Sequence, residues 1–149
     1  MSIAQEPVKK FGTIIVDVFS SDAIPIHIIT KEAVENYLTK LLDDGIIVVH
    51  ISNRHFDLRP VLSAVASELG LGSILNTSDD STEDSAVEKD IAVNKNTQDL
   101  ITHSAWVVLS KDTSNLDIIN KDVGWKKLDK VSSDKLWTDD FSNILGILR

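Results

Sequence analysis

Two short β-branched runs set the strongest limit on how this chain can fold. Ile14, Ile15 and Val16 follow Gly12 and end in Asp17, while residues 46 to 51, Ile-Ile-Val-Val-His-Ile, follow Gly45. Neither run has helical spacing, so each reads as a strand buried on both faces, the first over residues 13 to 18. Between them Thr30 is placed to cap a helix running to residue 42, with Val34, Tyr37, Leu38 and Leu41 on one face and Asp43, Asp44 and Gly45 ending it. Strand, helix, strand in that order predicts a right-handed parallel crossover. In an open α/β sheet ligands bind outside the carboxyl ends of such strands. Asp17 and then Asp22 fall at that end of the first strand, and Ser52, Asn53 and Arg54 at that end of the second.

Further along, Asp57 is placed to cap a second helix with Pro60 in its first turn, and Leu58, Val61, Leu62, Val65 and Leu69 form its apolar stripe. Gly70 is its expected stop. Residues 73 to 77 read as a short strand and residues 105 to 110, Ala-Trp-Val-Val-Leu-Ser, as a further one. Residues 78 to 103 open with an acidic, serine-rich stretch that has no periodicity, which predicts a mobile acidic loop. A short helix is expected around residues 116 to 120, and a last strand or helix over residues 143 to 148. Residues 1 to 11 read as an N-terminal tail or lead-in.

Charge and composition narrow the partners. The 149 residues, 42% hydrophobic and 26% charged, suit one globular domain. Their net charge of -8 disfavours nucleic acid and anionic membrane surfaces and suits a cationic small molecule. No apolar run is long enough to span a bilayer, and the first ten residues lack the apolar core of a secretory signal, so a soluble, cytoplasmic protein is expected. The absence of cysteine rules out disulfides and thiolate chemistry. His27, His50, His55 and His103 show no metal-binding spacing; His50, inside an apolar run, reads as a hydrogen-bonded structural histidine. Trp106, Trp125 and Trp137 read as packing anchors.

Three segments carry a family likeness. Asp-Val-Phe-Ser-Ser-Asp-Ala-Ile-Pro-Ile-His-Ile-Ile-Thr from residue 17, Gly-Ile-Ile-Val-Val-His-Ile-Ser-Asn-Arg-His-Phe-Asp-Leu-Arg-Pro-Val from residue 45 and Trp-Thr-Asp-Asp-Phe-Ser-Asn-Ile-Leu from residue 137 resemble the spermidine synthase-like polyamine aminopropyltransferases. Those enzymes use the S-adenosylmethionine-dependent methyltransferase fold. The likeness covers most of residues 12 to 149 and only the second half of that domain. It implies an α/β fold: a partial Rossmann-like, class I methyltransferase-like sheet of two parallel strands, then a reversed hairpin-like pair at one sheet edge, with helices on both faces.

Only 11 residues precede Gly12, whereas a βαβ unit takes about 30, so the nucleotide-binding half is expected to lie outside this chain. The only Gly-x-Gly, Gly70 to Gly72, follows a helix instead of a strand and is given no binding role. No cofactor is expected on this chain alone; decarboxylated S-adenosylmethionine is the co-substrate the likeness implies. The outer edge of the first strand is then unpaired, which predicts either a partner chain or a homo-oligomer.

The likeness also implies the site. Asp17 is the expected general base that deprotonates a diamine such as putrescine, and Asp22 the expected anchor for its other end. Two nearby carboxylates raise each other's affinity for a proton, which suits a base. Family members proper carry Asp-x-x-Asp, whereas Asp17 and Asp22 have four residues between them, as in the fused or membrane-associated relatives. Ser20 and Ser21 are candidate hydrogen-bond donors to substrate, Asn53 a further contact, and Asp139 and Asp140 a source of negative potential. No metal is expected. Two other classes stay open: a noncatalytic module that assembles through its free sheet edge, and an S-adenosylmethionine-dependent methyltransferase with another acceptor.

Overall fold

A parallel strand pair lies at one side of the sheet. In the computed structural model, which describes residues 3–17, 26–53, 55–77, 104–122, 124–131 and 133–148, β1 (Phe11–Val16) runs parallel to β2 (Leu41–His50) and the chain passes between them through α1 (Lys31–Lys40). Helix α2 (Arg59–Glu68) leads to β3 (Gly72–Thr77), and β4 (Ala105–Ser110) is followed by α3 (Thr113–Ile119) and the short β5 (Trp125–Lys127). The five strands form one mixed sheet in the order β1-β2-β4-β3-β5. Strand β4 is antiparallel to both β2 and β3, so β3 runs in the same direction as β1 and β2. The chain is therefore mixed α/β, with a parallel pair on one side and a reversed strand beside it.

Local chemistry sets the element ends. Thr30 is extended, and its Oγ1 accepts the Ala33 N–H at 3.3 Å, which starts α1 as an N-cap should. The helix stops at Lys40, two residues short of the expected end. Residues 42 to 45 bulge out of β2, so that Phe11 pairs with Leu41 and Thr13 already with Ile46. Residues 3 to 10 dock against that helix end: the Lys9 and Lys10 N–H groups donate to the Thr39 and Lys40 carbonyls, and the buried Lys40 ammonium donates to the Ala4 and Glu6 carbonyls. The expected Asp57 cap is corrected: Leu58 holds the N-cap position of α2 with no side-chain cap bond, and Asp57, one residue earlier, accepts the Arg59 N–H at 3.1 Å in the turn that leads in, while Gly70, at φ 65°, provides the left-handed stop.

The two sheet faces are covered unequally. On the first, Ile14, Val16, Ile47, Val49, Val107, Leu109 and Leu75 meet Val34 and Tyr37 of α1 and Val61, Leu62 and Val65 of α2. On the second, Ile74 and Val108 are buried beneath Leu116 of α3, while Ile46, Val48 and Trp125 are only partly covered. Ile15 points to this second face and is 65% exposed. The expectation that β1 is buried on both faces is thus corrected: its side chains alternate, because no helix among the described residues lies over the β1 end of the second face. Helices nevertheless pack on both faces, α1 and α2 on one and α3 on the other.

The expected acidic loop, residues 78 to 103, lies outside the described residues. The final segment is a single turn of helix, Leu145–Ile147, with Leu148 bridged to Phe56. No helix among the described residues is long and apolar enough to cross a membrane.

Candidate functional site

Strands β1, β2 and β3 share a carboxyl end, and the partly open face of the sheet carries a polar row there. Pairing joins His50 to Trp106, Trp106 to Asn76 and Asn76 to Trp125. Directly opposed residues point to the same face, so these four side chains stand in line across the sheet. One residue beyond the Val16–Val49 pair, Asp17 continues that line at the β1 edge.

Asp17 and His50 are in contact. The carboxylate Oδ1 lies 2.9 Å from His50 Nδ1, and the other ring nitrogen, Nε2, lies 2.6 Å from Ser52 Oγ. Ser52 Oγ in turn accepts the Ala105 N–H at 2.8 Å, at the point where β4 begins. The imidazole is stacked on the Trp106 indole, with centroids 4.4 Å apart and planes 17° from parallel. Both ring nitrogens and one ring face of His50 are therefore held, while the Asp17 side chain remains 58% exposed. A carboxylate in this setting has one oxygen oriented by the imidazole and substantial surface for an incoming cation.

Asn53 leaves the same sheet end, but its Oδ1 is committed to a turn, accepting the N–H groups of His55 at 2.8 Å and Phe56 at 3.0 Å. Asp139 is engaged elsewhere: the Thr30 hydroxyl donates to its Oδ1 at 2.7 Å, and its own N–H donates to Glu32 Oε2 at 2.9 Å. This carboxylate ties the C-terminal segment to the first turn of α1. Asp140 is exposed in the tight turn between Thr138 and Phe141. Ser20, Ser21 and Asp22 lie outside the described residues. Among the described residues no hydrogen bond joins Asp139 or Asp140 to Asp17, and no three His, Asp or Glu side chains gather as a metal site.

Sequence reasoning placed Asp17 but did not single out Ser52, and it gave His50 a structural part. A signal was present. The first apolar run ends in Asp17 and the second carries a single polar residue, His50, and a parallel register that aligns the two runs aligns those two residues. The Gly-x-Gly is structural: Gly70 ends α2, and a Cβ at Gly72 would come within 2.6 Å of Leu116 Cδ1. Comparison of the chain with protein-family models, with curated proteins and with solved structures returned no match.

Proposed function

We propose that this chain is the amine-side half of a spermidine synthase-like aminopropyltransferase domain, with Asp17 as the base that accepts a proton from a diamine. The observation that carries the reading is the placement of Asp17: an exposed carboxylate at the carboxyl end of a parallel strand, oriented by the neighbouring strand's histidine. Support also comes from topology. The antiparallel β3–β4 pair, with β4 adjoining β2, is compatible with the reversed pair expected after two parallel strands, although β5 and not that pair forms the sheet edge.

At neutral pH an alkylamine, with a pKa of about 10.4, is almost wholly protonated and cannot attack. Asp17 takes one proton from the ammonium, and the freed lone pair forms a C–N bond to the methylene beside the sulfonium of decarboxylated S-adenosylmethionine. The C–S bond breaks with its electron pair moving to sulfur, and methylthioadenosine leaves. Asp22, Ser20 and Ser21 belong to this reading as contacts to the far end of the diamine. Gly70 and Gly72, occupied by a helix stop and by packing, do not fit a nucleotide loop, so the reading concerns the amine side alone.

Calorimetry of putrescine on the chain, and methylthioadenosine release from decarboxylated S-adenosylmethionine and putrescine once the chain is reconstituted with a nucleotide-binding half, test the proposal. Asp17→Asn is expected to lower turnover by about a hundredfold or more. Undiminished turnover in that variant removes Asp17 from the chemistry. Absence of both turnover and calorimetric putrescine binding in the wild-type chain removes the function.

A second reading rests on a different observation. Strand β1 is paired on one side only among the described residues, and Ile15 beside that edge is exposed. Such an edge suits assembly by strand addition. Light scattering on the purified chain decides it, since a monomer at all concentrations speaks against edge pairing.

A further inference from the structure

The contacts around Asp17 form a single directed chain. The Ala105 N–H donates to Ser52 Oγ at 2.8 Å, Ser52 Oγ lies 2.6 Å from His50 Nε2, and His50 Nδ1 lies 2.9 Å from Asp17 Oδ1. With a neutral imidazole and an ionised carboxylate, only one placement of protons satisfies every member. If the neutral imidazole carried its proton on Nε2, the bare Nδ1 would face a carboxylate oxygen with no hydrogen between them. With the proton on Nδ1, the ring donates to Asp17, Nε2 accepts from the Ser52 hydroxyl, and Ser52 accepts from the backbone. Every donor then points toward Asp17, an arrangement in which successive hydrogen bonds polarise one another.

We propose that Ser52 and His50 are positioning residues for Asp17: the carboxylate draws the imidazole proton to Nδ1, the Ser52 hydroxyl holds Nε2 as the acceptor, and the Nδ1–H fixes which carboxylate oxygen faces the amine. The inference rests on the reading of Asp17 as the amine-side base. It gives the imidazole a task beyond filling the end of a strand. Trp106, stacked on one face of the ring, holds the plane of the imidazole in which Nδ1 reaches Asp17 and Nε2 reaches Ser52. Asp17 Oδ1 is held by the ring, which leaves Oδ2 to accept the ammonium proton, and the balance of the transfer step is unchanged because neither Ser52 nor His50 gains or loses a proton.

Two measurements test this separately from the activity itself. The first is nitrogen-15 NMR of the histidine-labelled full chain at a pH of about 8, where an ordinary imidazole is neutral. His50 is expected as the Nδ1–H tautomer; Ser52→Ala, which removes the donor to Nε2, is expected to move the Nε2 resonance while the proton stays on Nδ1, and Ser52→Thr, which keeps the hydroxyl, to preserve the parent spectrum. An Nε2–H tautomer in the wild-type chain, or a spectrum that Ser52→Ala leaves unchanged, overturns the proposal. The second compares His50→Asn with His50→Gln, because the Asn amide reaches the Nδ1 position and the Gln amide does not. In the enzyme reconstituted with a nucleotide-binding half, with putrescine and decarboxylated S-adenosylmethionine, His50→Gln is expected to lower kcat by about tenfold to a hundredfold with little change in KM, and His50→Asn to recover much of it. Equal loss in both variants overturns the orienting role. The Nδ1–H tautomer in a wild-type chain that shows no calorimetric putrescine binding supports the relay and counts against the aminopropyltransferase reading alone.

Discussion

Thr30 and Asp139 are 109 positions apart in the chain, yet the Thr30 hydroxyl donates to Asp139 Oδ1 at 2.7 Å while its oxygen accepts the Ala33 N–H. One fully buried side chain therefore starts α1 and anchors the C-terminal segment to it. Thr30→Ala removes both bonds and is expected to cost about 1–3 kcal/mol in chemical denaturation. Combining it with Asp139→Ala should cost less than the sum of the two, by at least about 0.5 kcal/mol. Strict additivity would separate the two groups energetically.

Unequal coverage of the sheet makes adjacent residues of β1 respond differently. Ile14 packs in the α1 and α2 core, and Ile14→Ala is expected to cost about 2–5 kcal/mol. Ile15 faces outward, and Ile15→Thr is expected to stay within about 0.5 kcal/mol of the parent in the same denaturation series. Equal losses at both positions would show that something covers the second face of β1.

Two glycines make a similar contrast. A Cβ at Gly72 would meet Leu116 Cδ1 at 2.6 Å and Thr113 Cγ2 at 2.9 Å, so Gly72→Ala pushes α3 off the sheet and is expected to cost about 1–3 kcal/mol. Gly12 has nothing within 4 Å of that point, and Gly12→Ala is expected to change stability by less than about 0.5 kcal/mol. The pair is read by thermal unfolding of the two variants beside the parent.

Tyr37 links stability to alkaline pH. Its hydroxyl donates to the Ile28 carbonyl at 3.0 Å, and burial raises the phenol above its ordinary value of 10.0. The unfolded chain thus ionises first: the contribution is intact below pH 10.0 and is lost as pH rises through the higher folded value. Tyr37→Phe is expected to cost about 1 kcal/mol near neutrality and to show a shallower decline as pH rises above 10.0. Parallel declines in the two proteins would place the alkaline sensitivity elsewhere.

Much of the fold was legible because it rests on local chemistry. The two β-branched runs, the Thr30 cap, the apolar stripe of α2 and its Gly70 stop each act within a few residues, and the structure places elements there. The site was legible only at Asp17. His50 looked structural because a single polar residue in an apolar run is ambiguous until its cross-strand neighbour is known. Asp139 resembled a pocket acid, and pairing with Thr30 across the chain commits one of its oxygens to the α1 cap.

By itself the sequence determined that strands lie around residues 13 to 18, 46 to 51, 73 to 77 and 105 to 110 and that α1 starts after Thr30 and α2 stops at Gly70, since capping, periodicity and glycine conformation are decided by near neighbours. Which face of β1 is covered, that β4 inserts between β2 and β3, and that Ser52, His50 and Asp17 line up were decided by tertiary structure alone. Register is the physical reason. A shift of one residue between β1 and β2 would send every side chain of the shifted strand to the opposite face, and only the packing of the whole sheet against its helices selects the pairing that sets Asp17 beside His50.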